Sequence, residues 1–181
     1  MQFIHNTVIF TVFLKKYNNR ADGFKYEWND GIVEKSPAMT TRELFIVEIL
    51  TDLFYTLKKN VGGILTAEVE QWTTSSRYRK PDLAYFTKEQ VREGRDKKEP
   101  ISAFMIEVIS KNDQINMVND KVLEYFNAGV KVVWHIFPNQ RMVYVFTSIK
   151  NITVCLGDDV CSAEAAIAGY RMSVNDIFFQ R

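Results

Sequence analysis

The sequence predicts an α/β or α+β domain in which a β-sheet is flanked by helices. Two observations carry this prediction: amphipathic helical patterns alternate with short β-prone segments, and the order is hairpin, helix, strands, helix, strands. A chain of 181 residues suits one compact domain, which can fold without a disulfide or a structural metal. The composition, 46% hydrophobic and 25% charged, is that of an ordinary globular protein.

The first part of the chain predicts a helix and a β-hairpin. Residues 8–19 are expected to form a helix that packs on the domain. Asn-Asp-Gly at residues 29–31 separates two β-prone runs, 24–28 and 32–35, which is typical of a hairpin. The apolar N-terminal stretch is too short to cross a bilayer and shows no signal-peptide features. We therefore expect a cytoplasmic protein without a membrane partner.

The rest of the chain alternates helices with strands. Thr40 or Thr41 can cap a long amphipathic helix that ends near residue 59, before Gly62. The charged segment 87–100 is expected to be an exposed loop, and a small helix is expected near 162–168. The remaining expected elements are strands at residues 64–72, 82–86, 102–109, 131–137, 141–147 and 151–156, a helix at 115–127 and a last turn at 174–179.

The charge balance does not favour a strong non-specific polyanion binder. The formal net charge is +1, so any binding to nucleic acid would have to come from local patches. Basic residues before Asp82 and in segment 87–100 could contact a phosphate backbone, although a merely solvated loop stays an alternative for the second group. These residues are Arg77, Arg79 and Lys80, and then Arg92, Arg95, Lys97 and Lys98.

The two cysteines do not indicate a metal site. Cys155 and Cys161 lie six residues apart with no histidine nearby to complete a zinc set. Two free thiols and a disulfide that staples a hairpin both remain open.

Two carboxylates in apolar segments are the main candidates for chemistry. Glu107 lies in residues 101–110, a run that is apolar on both faces and therefore typical of a central strand. A buried carboxylate must be neutral, paired or bound to a cation. Asp82 follows Pro81 at the start of another β-prone run. Carboxylates at adjacent strand positions can share one hard cation, which polarises a phosphodiester and generates a hydroxide nucleophile.

A lysine on the predicted second helix could assist these carboxylates. Lys121 shares a helix face with Tyr125, and the helix follows the Glu107 strand after a short turn. From the inner face of the helix, its ammonium could steady the attacking water or the phosphorane charge. Other interpretations stay open: Asp82 could cap a turn, Glu107 could pair with an arginine, and Lys121 could be an ordinary surface lysine.

Segments in a consistent order along nearly the whole chain carry a family resemblance. They include Lys80-Pro81-Asp82 and Glu107-Val-Ile-Ser110, and their order and spacing together are similar to the Uma family of bacterial restriction endonucleases, within the PD-(D/E)XK nuclease superfamily. The matching segments are residues 11–15, 26–37, 80–84, 107–113, 121–125, 128–136 and 169–174.

The resemblance implies a restriction-endonuclease-like core with a mixed β-sheet flanked by helices. It also implies a divalent metal and phosphodiester hydrolysis, with Asp82 at the position of the Pro-Asp aspartate and Glu107 at that of the second acid. The expected organisation is a single domain over residues 1–181, with an N-terminal helix and hairpin at 1–37, a catalytic core at 38–147 and a C-terminal strand and helix at 148–181.

The sequence departs from the pattern at two positions. The superfamily lysine stands two residues after the acid, where this chain has Ile109, so the resemblance suggests that Lys121 replaces it from the following helix. Many family members also carry a histidine early in the first long helix. This chain has Arg42 and Glu43 there, and Glu43 could be the extra helix acid found in the superfamily.

Three hypotheses follow. The first is a Mg²⁺-dependent DNA endonuclease, with Mn²⁺ as a second option, in which Asp82 and Glu107 bind the metal, Lys121 assists the water and Glu43 is an auxiliary acid. A homodimer would suit the cleavage of both strands. The second is a catalytically degenerate module that binds nucleic acid or a protein. The third is an oligomer-forming protein that assembles through the apolar residues 3–14.

Overall fold

The computed structural model describes residues 2–4, 7–18, 20–96, 98–111 and 113–178. Within these ranges, no helix is long and apolar enough to cross a lipid bilayer. Residues 1, 5, 6, 19, 97, 112 and 179–181 lie outside the described ranges, and they include Lys97 and the last residues of the predicted helix 8–19 and turn 174–179.

The described residues form thirteen strands and five helices. The helices are α1 (Phe10–Lys16), α2 (Thr41–Val61), α3 (Lys88–Arg95), α4 (Ile115–Ala128) and α5 (Val174–Phe178). The strands are β1 (Gln2–Ile4), β2 (Phe24–Asn29), β3 (Ile32–Pro37), β4 (Ile64–Ala67), β5 (Gln71–Thr74), β6 (Arg77–Arg79), β7 (Leu83–Phe86), β8 (Phe104–Val108), β9 (Val132–Phe137), β10 (Met142–Ser148), β11 (Asn151–Leu156), β12 (Val160–Ser162) and β13 (Arg171–Ser173).

The central layer is a six-stranded mixed sheet in the order β11-β10-β9-β8-β7-β4. Strands β8 and β9 run parallel, and the other neighbours in this sheet are antiparallel. A second, five-stranded sheet has the order β1-β3-β2-β6-β5, and β12 pairs with β13. The predicted fold class, a mixed α/β or α+β sheet flanked by helices, is confirmed.

Alternating residues of β8 face two different hydrophobic cores. Phe104 and Ile106 pack in the larger core, which also holds the buried face of α2. Met105 packs on the opposite side with Val122 and Tyr125 of α4. Because strand side chains alternate between faces, Glu107 points to the same side as Met105, toward α4. The pleat of β8 therefore directs the carboxylate at the helix that carries Lys121.

The ends of the two long helices follow the expected capping chemistry. The Thr40 side chain accepts a hydrogen bond from the Glu43 backbone N–H, and the Glu43 carboxylate accepts one from the Thr40 backbone N–H. This reciprocal capping box begins α2 where the sequence predicts it. Helix α4 ends at Gly129, whose φ of 106° lies in a region that residues with a side chain rarely adopt.

The predicted strand 64–72 is not one strand, because β4 ends at Ala67 and β5 begins at Gln71 in the other sheet. Two further predicted elements are wrong. Segment 87–100 is not a continuous loop, because α3 begins in it with a second capping box between Thr87 and Gln90. Segment 162–168 is not a helix: the Ala166 and Ile167 backbone N–H groups both bond to the Ala163 carbonyl, which gives turns rather than a repeating ladder. In both places the local hydrogen-bond pattern decides the structure, and hydrophobic periodicity gives little indication of it.

Both cysteines are free thiols. Cys155 and Cys161 are buried, and both belong to the larger hydrophobic core. Burial raises the pKa of each thiol above its ordinary value. We therefore assign them to packing and not to a disulfide.

Candidate active site

Asp82 and Glu107 face each other across two neighbouring strands. The antiparallel register pairs Leu83 of β7 with Ile106 of β8. Asp82, which precedes Leu83, therefore lies opposite Glu107, which follows Ile106. Both acids are about 95% buried, since each exposes only 5% of its surface. The Val108 backbone N–H donates to Asp82 Oδ2 over 2.7 Å and fixes that carboxylate in place.

A lysine ammonium lies between the two carboxylates. Lys25 Nζ is 2.7 Å from Asp82 Oδ1 and 3.9 Å from Glu107 Oε2. Burial alone would disfavour its charge, but Asp82, Glu107 and Glu27 together outweigh that cost and hold the pKa of Lys25 above its ordinary value. The two acids are thus directed at one cationic position, and neither is paired with an arginine among the described residues.

Lys121 reaches Glu107 from the helix side. Its Nζ is 3.4 Å from Glu107 Oε1 and 2.8 Å from Glu27 Oε2. The Tyr125 hydroxyl donates a short hydrogen bond to the same Glu107 oxygen, Oε1. The helix face that Lys121 and Tyr125 share therefore holds one oxygen of Glu107, while Oε2 is directed toward Lys25 and Asp82.

Glu107 and Glu27, the two acids that contact Lys121, differ in how much their environment favours ionisation. Burial raises the pKa of Glu107 above its ordinary value, against the opposing effect of Lys121 and Lys25. For Glu27 the balance is reversed: burial is outweighed by Lys121, Arg79 and Lys25, which lower its pKa to about 2. Glu27 is therefore ionised at pH 7, whereas burial disfavours the charged form of Glu107.

Behind these residues, Arg79 is the centre of a buried ion-pair network. Its Nε and Nη2 donate to the two oxygens of Glu124 over 2.8 and 2.7 Å, and its Nη1 donates to Glu34 over 2.5 Å. Nη1 also lies 3.4 Å from Glu27 Oε2. Through Glu27 the network joins the cluster around Lys121, so the hairpin is connected electrostatically to the site.

The site opens into a cavity of about 350 Å³. Lys25, Asp82, Glu107 and Lys121 all line it. The remaining walls come from residues 36–43, from the turn between β8 and α4, and from residues around Pro138. The four charged groups therefore lie at a wall that a substrate can approach from solvent.

Comparison with known proteins identifies the family of the chain. The family model Uma2, described as "Putative restriction endonuclease", matches residues 13–175. The chain belongs to the Uma2 family. The predicted resemblance is thereby confirmed over most of the sequence.

A solved structure supports the same fold. The chain is similar to the crystal structure of a protein described as a putative nuclease of DUF820 from Anabaena variabilis ATCC 29413. The two share 16% sequence identity over 93% of this chain and 96% of the other, with a TM-score of 0.78. No curated protein matches the chain. At this identity the likeness establishes the fold alone.

The donor set of this Uma2 chain fits a small divalent cation. The described part of the chain has no group of three or more His, Cys, Asp and Glu side chains placed to hold a metal. A Mg²⁺ site does not need one, because two protein carboxylates suffice when waters and a substrate phosphate complete the shell. The Lys25 ammonium marks where the two carboxylates already accept a cation. Asp82 and Glu107 are the residues that would hold it.

Glu43 of the Uma2 chain lies on the cavity wall, and its carboxylate caps the start of α2. It lines the same cavity as Asp82 and Glu107, and its Oε2 accepts the Thr40 N–H over 2.6 Å. The capping bond occupies one carboxylate oxygen. Its role as an auxiliary acid stays a prediction.

The structure argues against one of the expected phosphate contacts. Arg79 is only 3% exposed and its donors are taken by glutamates, so it cannot meet a DNA backbone. Arg77 is partly exposed and pairs with Asp30 and Glu124. Lys80 lies between Glu68 and Glu70 at 3.7–3.8 Å. The basic sequence cluster therefore contributes mainly to internal ion pairs.

Sequence reasoning did not assign Lys25 and Glu27 to the site. Both are on β2, two residues apart, and therefore on one face of the strand. Alternating charges in a hairpin are typical of a solvated face, so the local pattern indicates exposed side chains for Lys25 and Glu27, although both are turned toward the site. Only contacts with distant parts of the chain, Lys25 with Asp82 and Glu27 with Lys121, show that this face is turned inward.

His135 is a further polar group on the cavity wall of the Uma2 site. It is 1% exposed and pairs in register with Glu107 across β8 and β9. Its Nε2 has no hydrogen-bond partner within the described part of the chain. Burial first, and then the Lys121 ammonium, lower the pKa of His135 to about 3. The imidazole is therefore neutral at pH 7.

The lowered pKa of His135 predicts acid sensitivity. The unfolded chain binds a proton at this side chain near pH 6.5, and the folded chain does so only near pH 3, so stability falls as the pH falls through that window. Between pH 7 and 5, we expect His135 to contribute a loss of about 2 kcal/mol in the free energy of unfolding. Urea unfolding at both pH values should show this extra loss in the wild type but not in His135→Leu. Equal losses would contradict it.

Proposed function

We propose that the protein is a divalent-metal-dependent endonuclease that hydrolyses phosphodiester bonds in DNA. One observation carries the proposal: two buried carboxylates, Asp82 just before β7 and Glu107 in the neighbouring β8, are directed at a single cationic position beside an open cavity. Membership of the Uma2 family supports a nuclease. The Mg²⁺ requirement, with Mn²⁺ as a substitute, and the preference for DNA belong to the proposal.

The residues around the carboxylates give each oxygen a separate task. The Val108 N–H holds Asp82 Oδ2, which leaves Oδ1 for the cation. Tyr125 and Lys121 hold Glu107 Oε1, which leaves Oε2 on the side of Asp82. Asp82 and Glu107 would hold the metal ion, and these bonds fix both carboxylates before it binds. When bound, the ion supplies Lewis-acid polarisation of the phosphate and a more acidic water.

Lys121 is placed to act on the reacting groups. Its ammonium is buried against Glu107 and Glu27, and the Lys121 side chain lines the cavity. These two glutamates outweigh the cost of burial and raise the pKa of Lys121 above its ordinary value, so it stays charged. A fixed positive charge beside a phosphodiester stabilises the charge that develops on the phosphorane oxygens. We therefore assign to Lys121 the role that the superfamily pattern gives to the lysine two residues after the acid.

Plasmid cleavage tests the proposal directly. Supercoiled DNA incubated with the protein should be nicked or linearised in Mg²⁺ or Mn²⁺ and remain intact when EDTA is added. Asp82→Asn should abolish this activity, because a neutral amide oxygen binds a hard cation far more weakly than a carboxylate. Asp52→Asn, an exposed acid on α2, is the matched control and should cleave normally. Full cleavage by Asp82→Asn, or in EDTA, would refute the assignment.

One feature favours a second candidate, a binding module without catalysis. Asp82, Glu107 and Glu27 already have lysine partners in the metal-free protein: Lys25 pairs with Asp82, and Lys121 pairs with Glu107 and Glu27. Such a cluster can be purely structural. Titration calorimetry with Mg²⁺ and Mn²⁺ separates the two candidates: saturable binding that is lost in Glu107→Gln supports the nuclease, and no binding at millimolar metal supports the module.

A further inference from the structure

Lys25 occupies the position that a metal ion would need. Its ammonium contacts Asp82 Oδ1 at 2.7 Å and lies 3.9 Å from Glu107 Oε2, the same two oxygens that the surrounding bonds leave available. The Lys25 side chain is 9% exposed, so water screens its charge little. A divalent ion between these oxygens would lie within a few ångströms of the ammonium, and the two like charges would repel strongly.

Of the three cations in the cluster, Lys25 is the one that can leave. Arg79 is fixed by Glu124 and Glu34, and Lys121 keeps a close partner in Glu27 at 2.8 Å even without Glu107. Within the described residues, the ion-pair partners of Lys25 are the two candidate metal ligands themselves. A metal that takes these ligands therefore removes both of these ion pairs, and Lys25 keeps only the longer-range attraction of Glu27.

The cavity gives the displaced side chain somewhere to go. Lys25 lines the same cavity as Asp82 and Glu107, and a lysine has a flexible four-carbon stem that carries its charge over several ångströms. Rotation about the side-chain bonds of Lys25 would carry the ammonium away from the carboxylates and into this cavity. In the cavity it would meet the phosphate that approaches the metal, and an ammonium is a strong donor to a phosphate oxygen.

We propose that Lys25 exchanges with the divalent ion: its ammonium compensates Asp82 and Glu107 in the metal-free protein, and on metal entry it moves into the cavity and binds a phosphate oxygen of the DNA. This inference rests on the proposed function and adds to it a residue that no part of the nuclease pattern contains. It makes Lys25 a positioning residue for the phosphate and an internal competitor of the metal.

The competition predicts that removing Lys25 improves metal binding. The protein is first treated with a chelator to remove bound metal and is then titrated with Mn²⁺. The electron paramagnetic resonance signal of free Mn²⁺ gives the affinity for Mn²⁺. Lys25→Met, which keeps the stem and removes the charge, should bind Mn²⁺ at least about tenfold more tightly than the wild type. Lys25→Arg should bind more weakly, because a guanidinium can hold a carboxylate with two parallel bonds. Lys80→Met removes one positive charge from outside the cavity and should bind Mn²⁺ with the same affinity as the wild type.

A gain of affinity is a result that simple damage to the fold does not produce. The phosphate role predicts in addition that Lys25→Met raises KM for DNA although it holds Mn²⁺ more tightly. Circular dichroism and thermal melting check that each variant is folded. If Lys25→Met does not fold, the Lys25→Arg comparison decides: weaker Mn²⁺ binding than in the wild type supports the exchange, and equal binding overturns it.

The outcomes also separate this inference from the proposed function. If the wild type binds Mn²⁺, loses binding in Glu107→Gln, and a folded Lys25→Met binds equally or more weakly, the exchange is wrong and the metal site stands. If neither the wild type nor Lys25→Met binds Mn²⁺, the metal site itself is wrong, and the exchange falls with it. If only Lys25→Met binds, the lysine blocks the site, which supports the exchange.

Discussion

Replacing Glu107 with glutamine is expected to lower metal-dependent DNA cleavage by about three orders of magnitude without a loss of stability. The amide removes one of the two negative oxygens that are directed at the cationic position. It also leaves Lys121 with Glu27 and Lys25 with Asp82, so neither lysine loses its closer acidic partner. The negative charge of Glu107 is therefore needed for DNA cleavage and not for the stability of the fold.

The stability part of this prediction follows from the sign of the pKa shift. Burial raises the pKa of Glu107 despite the neighbouring lysines, so the ionised form is less favourable in the folded chain than in the unfolded one. For such a group, stability is lost as the pH rises through the folded pKa. A neutral glutamine removes that cost at pH 7 and keeps an oxygen that can accept from Tyr125.

Cleavage and thermal melting of the same preparation measure both effects. We expect Glu107→Gln to be inactive and to melt at or above the wild-type temperature, with Glu48→Gln on α2 as the matched control for the loss of one carboxylate. An inactive variant that melts well below the wild type would mean that the lost activity reports unfolding. Retained cleavage would remove Glu107 from the catalytic assignment.

The parts of the site that could be predicted are those that the local sequence determines. An acid within the apolar run of β8 is unfavourable unless it is paired, so Glu107 is conspicuous in the sequence alone. Lys121 and Tyr125 share a helix face by their spacing, and both contact Glu107 in the structure. Asp82 precedes a strand that pairs with β8, which brings the two acids together.

The parts that could not be predicted depend on contacts between distant segments. Strand β2 presents Tyr26 to an aromatic cluster and Lys25 and Glu27 to the site, so both faces are covered. A pattern of alternating apolar and charged residues normally indicates one solvated face. Arg79 is the same kind of case, because nothing in its neighbourhood indicates three buried glutamates, and Glu124 and Glu34 are both 45 positions away along the chain.

Arg79→Met is expected to reduce the free energy of unfolding by about 3–5 kcal/mol, the largest stability effect among these variants. The guanidinium makes a bidentate pair with Glu124 and contacts Glu34, and these glutamate side chains are only 1–2% exposed. Methionine matches the apolar stem and removes every donor. The buried carboxylates are then left without their main compensating charge, which costs more than the original pairing gained.

Lys80→Met provides a control at the next position. Its ammonium is more exposed, and its distances to Glu68 and Glu70, 3.7–3.8 Å, are those of a weak surface pair, so we expect a change within about 1 kcal/mol. Urea denaturation measures both variants, and equal effects would contradict a structural role for Arg79. The contrast also bears on DNA binding. If Arg79 contacted phosphate, its loss would weaken DNA binding by the folded protein and leave the unfolding curve unchanged. If Arg79 is the centre of the buried ion-pair network, its loss shifts the unfolding curve to lower urea concentration.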